Sequence, residues 1–285
     1  NYQLIYVTIP FRTTDLDMRH RLLDYAEMRM TQSYGSISAA GWHNGQLHVL
    51  LLEGAWSDAR AIGERMFASP DWAHVLDCIC ALARDQGRVA EAWDMLRRGL
   101  PDGPDSEPDR TPFDVGVRLL HIAAELALGT DDLGAAAEWI SAHRRWLDDS
   151  GATVFRPDQN LLLAGYERAV GRDDRALAHA ERALTLASDP TQPLAILAAH
   201  RILGGLRTAA ELYGAADQHL QESLALADAC AAPFERALTL LALAELRMAE
   251  GRRDETRALA GEARAICEPL GARPTLDRLD ELLRR

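Results

Sequence analysis

Small residues recur through this chain at a fixed interval of 40. Ala124, Ala164, Gly204 and Ala244 form one register, and Ala136, Ala176, Ala216 and Thr256 form a second. In the last unit the two registers flank Gly251, within the run AELRMAEGRRDETRALAGEA from Ala244 to Ala263. That run reads as the end of one helix, a tight turn and the start of another. Two helices approach only as closely as the side chains at their crossing allow, so a small residue at each crossing is a packing requirement. A long fixed period of such crossings is the signature of a helical solenoid, in which each unit packs on its neighbours.

The pattern predicts six helix pairs: 36–52 with 57–68, 71–84 with 89–98, 113–128 with 133–148, 158–170 with 175–187, 194–210 with 215–229, and 234–250 with 254–268. Ala59 and Ala92 lie 33 apart, so the early repeats are shorter. The step of 44 from Ala92 to Ala136 contains LPDGPDSEPDRTP, residues 100–112, whose four prolines predict a surface loop between repeats. Residues 1–35, with a helix over 16–32, read as an incomplete leading repeat whose first ten residues are a helix tail or an extended lead-in. Pro274 opens a short amphipathic linker helix over 275–285. The whole of 1–285 is therefore expected to be one repeat domain, since an array escapes the length rule for domain number.

Composition removes several function classes. Asp and Glu total 43 against 31 basic residues, a net charge of −12, which argues against a surface that grips nucleic acid or an anionic membrane. All of the basic residues are arginine. A phosphate-binding G-x-x-x-x-G-K-[ST] loop and Schiff-base chemistry both need lysine and are excluded. Cys78, Cys80, Cys230 and Cys267 form no C-x-x-C, so buried thiols in a reducing, cytoplasmic setting are expected and a zinc site is not. The nine histidines show no H-E-x-x-H spacing, and G-x-S-x-G is missing. No catalytic residue, metal or cofactor is expected, and no membrane partner.

The pair motif resembles the tetratricopeptide repeat, as in Ala164, Gly171, Ala176, Ala180 and Ala183, or Ala244, Gly251, Thr256, Ala260 and Ala263. Asp131 and Glu211 depart from it by standing where a turn glycine is expected, and 40 exceeds the usual period of 34. The resemblance implies an all-α, right-handed superhelical solenoid. A narrower resemblance covers roughly 194–285. The run ERALTLLALAELRMAEGRRDETRALAGEARAICEPLGARPTLDRLDELLRR is similar to the tetratricopeptide region of large ATP-dependent LuxR-type transcriptional regulators, which are laid out like the maltose regulator. It implies a non-enzymatic sensor and scaffold that binds a small-molecule effector or a protein or peptide. DNA and ATP would be reached only through domains outside this chain. The alternative is a free-standing tetratricopeptide adaptor for protein assembly.

In the tetratricopeptide register, first helices line the concave face. The expected groove residues are Asn44, His48, His74, Asp77, Arg84, Arg118, His121, Glu125, Arg168, Arg201, Thr208 and Glu245, with Asp158, Leu161, Leu241 and Met248 at equivalent positions. Gly204 is a crossing residue; Gly205, between Arg201 and Thr208, is expected to leave an opening in the wall. Arg84, Arg118, Arg168 and Arg201 are placed to converge, which predicts an anionic ligand or a peptide with an acidic end. Trp93, beside Ala92, is expected in the core between repeats.

Overall fold

The computed structural model describes residues 13–32, 39–70, 72–108 and 111–285. The lead-in over 1–10 and the predicted helix start at 36–38 lie outside the described residues. Among them the chain forms fourteen α-helices and no strand. A leading helix α1 (Leu16–Gln32) precedes six pairs: α2 (Ala39–Leu52) with α3 (Trp56–Phe67), α4 (Leu76–Asp85) with α5 (Val89–Gly99), α6 (Phe113–Gly129) with α7 (Leu133–Ser150), α8 (Arg156–Ala169) with α9 (Asp173–Ser188), α10 (Pro193–Ala209) with α11 (Tyr213–Ala229), and α12 (Pro233–Ala249) with α13 (Arg253–Leu270). Helix α14 (Arg273–Arg284) closes the array. The predicted pairs fall on these helices, except that Trp72–Val75 wind as a 3-10 turn before α4. This is the tetratricopeptide-like all-α solenoid.

Both small-residue registers are crossings. Ala124, Ala164, Ala244, Ala136, Ala176, Ala216 and Thr256 are fully buried. At Gly204 an added Cβ would stand 2.5 Å from Leu220 Cγ, so the 40-residue spacing carries a contact that admits no side chain. Within each pair the turn is set by one left-handed residue and a backbone bond back to the carbonyl five residues earlier, such as Arg172 N to Glu167 O at 2.8 Å and Arg252 N to Arg247 O at 2.8 Å. Gly171 and Gly251 supply the left-handed residue at φ 74° and 77°. Asp131 and Glu211 adopt the same conformation, φ 56° and 59°, and the same bond follows, Asp132 N to Ala127 O and Leu212 N to Arg207 O. The turn is thus dictated by helix closure, and the two non-glycines accept its strain, about 1–2 kcal/mol each.

The 100–112 segment is tied down across α7. Trp146 Nε1 donates to Ser106 O at 2.9 Å, Arg145 donates to Pro104 O at 2.7 Å, and Thr111 Oγ1 donates to Gly99 O at 2.9 Å. Trp93 packs against Trp139 in the core between α5 and α7, ring centroids 6.2 Å apart, as its place beside Ala92 predicts.

The superhelix turns far enough to bring its two ends together. Trp56 at the start of α3 meets Phe234 at the start of α12 edge to face, centroids 4.9 Å apart at 67°. The left-handed Gly54 lies against Pro233, where an added Cβ would stand 2.8 Å from Cγ. Gln86 Nε2 donates to Leu270 O at 2.9 Å, and Gly87 packs on Arg273 and Pro274. The guanidinium of Arg19 in α1, fully buried, donates twice to Cys230 O at 3.1 Å. One apolar cluster crosses this seam, joining Trp56 and Leu82 to Ala237, Leu240, Leu241 and Leu279.

Candidate functional site

Closing the seam converts the expected groove into a central cavity of about 510 Å³, within the range of small-ligand sites. Its wall shifts steadily along the first helices. It takes the C-terminal end of α2 (His48, Leu51, Leu52), most of α4 and α6, α8 as far as Gly165, the first half of α10 as far as Ile202, and only the opening residues Phe234 and Glu235 of α12. This drift is the superhelical pitch, and it decides which expected residues arrive. His48, Asp77, Arg84, Arg118, His121, Glu125, Asp158, Leu161 and Arg201 line the cavity.

The remaining expected residues lie elsewhere. Asn44 is buried behind the wall, donating to Asp77 Oδ1 at 3.2 Å and to the carbonyl of His74, which belongs to the 3-10 turn. Thr208 turns its hydroxyl back to Gly204 O at 2.9 Å, and Glu245 pairs with Arg278 of α14 at 2.8 Å. Leu241 is buried in the seam cluster, with Met248 packed against it. Arg168 is exposed on α8 and its guanidinium lies over Gly205, where an added Cβ would stand 2.8 Å from Nη1. Gly205 therefore leaves room for Arg168 outside the cavity, and not an opening in its wall.

The arginines that do arrive are already engaged. Arg84 holds Asp85 at 2.8 Å and also Glu125. Arg201 holds Glu235 at 2.7 Å, and Arg118 approaches Asp77 at 3.6 Å while its guanidinium faces the Phe155 ring at 5.5 Å. The convergence predicted for an anion is thus spent on the protein's own carboxylates. Burial pushes the Glu125 carboxyl up, but Arg84, His121 and Arg201 outweigh it and bring it down to about 2. Burial likewise works against charge on Asp77, and His48 and Arg118 lower it overall. Asp85 and Asp158 go the other way. Burial raises both, Glu125 adds to each, and Glu235 adds to Asp85. Carboxylates from α4, α6, α8 and α12 therefore converge closely enough to repel one another.

The donor atoms of His48, Asp77 and Cys78 lie within 4.8 Å of one another, a grouping that the sequence spacing hides. Burial drives the Cys78 thiol well up and the neighbouring Asp77 drives it further, while Arg118 stands beside the carboxylate. The geometry accordingly describes a neutral thiol next to an ion pair.

Asp85, His143, Trp56, Phe234 and Glu235 line the cavity without having been expected there. The register contained a signal for two of them. Val154, Leu194 and Phe234 are spaced by 40, as are Phe155, Ala195 and Glu235, and all six face the cavity. His143 stands where the next repeats hold Ala183, Ser223 and Ala263. Its Nδ1 bonds the side-chain oxygen of buried Gln159, and burial pushes its imidazole down to about 3.

No family model matches the sequence, and no curated protein matches it either. Solved structures do match the fold. The Rap protein complexed with competence and sporulation factor is 14% identical with a TM-score of 0.67, over 96% of this chain and 78% of that one. NprR in complex with its cognate peptide NprX is 13% identical with a TM-score of 0.65, over 98% of this chain and 80% of that one. A signal-transduction ATPase with numerous domains and a tetratricopeptide repeat sensor, from Pyrococcus horikoshii, is 14% identical with a TM-score of 0.59, over 95% of this chain and 43% of that one. At these identities the likeness is one of fold: the chain is built as these tetratricopeptide-like repeat proteins are.

Proposed function

We propose that this chain is the sensor and scaffold region of a LuxR-type transcriptional regulator, taking a small effector or a short peptide in its central cavity and catalysing no reaction. The observation that carries the reading is the seam. Because Trp56 and Phe234 both close the superhelix and line the cavity, an occupant touches the two ends of the array at once. A ligand that binds the closed ring better than an opened one shifts that equilibrium by its difference in affinity. Repeat geometry then carries the shift to attached nucleotide- and DNA-binding domains as a coupling energy. Rap and NprR, crystallised with competence and sporulation factor and with a cognate peptide, and the Pyrococcus horikoshii ATPase with its repeat sensor support the reading by analogy of fold.

The test is thermal unfolding of the chain with the low-molecular-mass fraction of its source cells. An effector at a hundred times its Kd adds about 2.7 kcal/mol, a shift of several degrees. Loss of the shift after protease treatment of the fraction identifies a peptide. No shift with any fraction rejects the effector reading and leaves the free-standing adaptor. Blotting for the native gene product checks the regulator context, which expects a band well above 31.4 kDa.

A further inference from the structure

Which ligand the cavity suits follows from how its charges are matched. This inference rests on the cavity reading above. Each guanidinium in the wall has a carboxylate partner: Arg84 has Asp85 and Glu125, Arg118 has Asp77, and Arg201 has Glu235. A ligand anion entering here would have to displace one of them. Asp158, on the first turn of α8, is the carboxylate left over. It lines the cavity and makes no hydrogen bond and no ion pair within 4.0 Å among the described residues. The positive groups that influence it, His121 and Arg118, are held by Glu125 and Asp77, and Glu125 itself repels it. Beside these groups the wall near it is apolar, with Phe155, Leu161 and Leu162 on the same helix and the turn before it. A carboxylate in such a wall is costly while unmatched, and a charge-assisted bond to a cation removes that cost.

We propose that the cavity takes a ligand bearing one cationic group, an ammonium or guanidinium, on an apolar body, and that Asp158 receives that group. The sign is opposite to the one the arginine spacing implies. A basic side chain of a short peptide and a free amphipathic amine offer the same chemistry, and the test separates them.

The probe is an equimolar library of capped pentapeptides with randomised positions, equilibrated with the 285-residue chain at 0.3 M NaCl, the bound fraction read by mass spectrometry. The salt screens attraction to the net charge of −12 but not a contact inside the cavity. Asp158→Asn is compared with wild type and with Asp254→Asn, a control at a carboxylate 98% exposed on α13. Circular dichroism checks that each variant folds. The expected result is at least tenfold enrichment of peptides containing Arg or Lys over those containing Asp or Glu. That enrichment should persist in Asp254→Asn and vanish in Asp158→Asn. Hexylguanidinium displacing the bound peptides would show that a free amine suffices; failure to displace them, with the enrichment intact, would make a peptide the source. Binding of neutral or acidic peptides overturns the proposal and leaves the cavity reading standing. Basic enrichment that survives Asp158→Asn overturns it as well, in favour of surface charge. Retention of neither peptides nor hexylguanidinium overturns both readings.

Discussion

The last three helix pairs and the first three solve the same packing problem with different residues. Pairs four to six fill their crossings with alanine: Ala164, Ala176, Ala180, Ala183, Ala187, Ala216, Ala244, Ala260 and Ala263 are all fully buried. Pairs one to three bury Trp56, Trp139 and Trp146, and with them Asn44, Asp77 and His143. An alanine crossing is interchangeable with the next one and can repeat indefinitely at one interval. A tryptophan crossing has to be matched one residue at a time. Gly116 exists to admit Trp146, since an added Cβ would stand 2.3 Å from its ring, and Gly99 sits between Leu76 and Leu119, 2.6 Å from each. Both halves line the cavity, the irregular one with Asp77, Arg84, His121 and Glu125 and the regular one with Asp158, Arg201 and Glu235.

That contrast breaks most visibly at Trp146. Trp146→Ala should cost about 3–5 kcal/mol in denaturant unfolding, through the lost ring and the lost anchor on Ser106. Ala183→Gly, in the regular half, should cost only roughly 1 kcal/mol. Similar costs for both would mean the two halves are packed alike.

The contacts between successive pairs sharpen the comparison. Forty-residue spacing makes His143 with Gln159 equivalent to Ala183 with Ala199, to Ser223 with Thr239, and to Ala263 with Leu279. Two of these are hydrogen-bonded, His143 with Gln159 and Ser223 with Thr239 at 2.9 Å, and the two that alternate with them are apolar. Gln159→Ala alone strands the His143 ring and should cost about 1–3 kcal/mol. Adding His143→Ala, which copies the next repeat, should recover part of that loss. A double variant less stable than the sum of the singles would argue against equivalence.

The same histidine gives the irregular half a pH dependence, and His200 and His219 in the regular half, both lowered chiefly by burial, add to it in the same sense. The folded value of His143, about 3, lies below the ordinary 6.5, so the unfolded chain binds a proton that the folded chain refuses. Stability is therefore full above pH 6.5 and lost as pH falls toward 3, by up to about 1.4 kcal/mol per unit. Glu125 takes effect only below its ordinary 4.5, and His121, raised against burial by Glu125, acts with opposite sign from its ordinary 6.5 upward. Unfolding measured between about pH 5 and 6 should have a shallower slope in His143→Ala, the remainder coming from His200 and His219.

Phe234→Ala tests the link between the halves. It removes an aromatic pair worth about 0.5–1.5 kcal/mol beyond its burial. It should raise the radius of gyration in X-ray scattering while the helical signal stays constant; an unchanged radius would place the closure on Arg19 and Gln86 instead. The smallest effect belongs to Glu211→Gly. Relief of left-handed strain, about 1–2 kcal/mol, is offset by about 0.5–1 kcal/mol of glycine flexibility, so stability should rise by less than about 1 kcal/mol.

How far the sequence could be read differs along the chain for the same reason. In the regular half the spacing of small residues marks the helix pairs, and it marks Gly204 as a close crossing, whose partner Leu220 only the structure supplies. Asp131 and Glu211 departed from the expected glycine, yet the turn formed, because its bond pattern depends on backbone closure more than on side chains. In the cavity, His48, Asp77, Arg84, Arg118, His121, Glu125 and Arg201 were legible as faces of first helices. Arg168, Thr208 and Glu245 were placed with them because a flat register ignores pitch, which carries the later helices away from the axis at their C-terminal ends.

The sequence by itself determined the repeat, since a crossing residue must be small and a helix must break where its turn bond closes, and both are local demands. Only the tertiary structure decided that the array closes on itself, because a small rotation per repeat becomes a ring only when summed over six pairs. It likewise decided the charge of the site. Arg201 and Glu235 lie 34 residues apart and Arg84 and Glu125 lie 41 apart, so their pairing follows from where the superhelix brings them, and no local pattern records it.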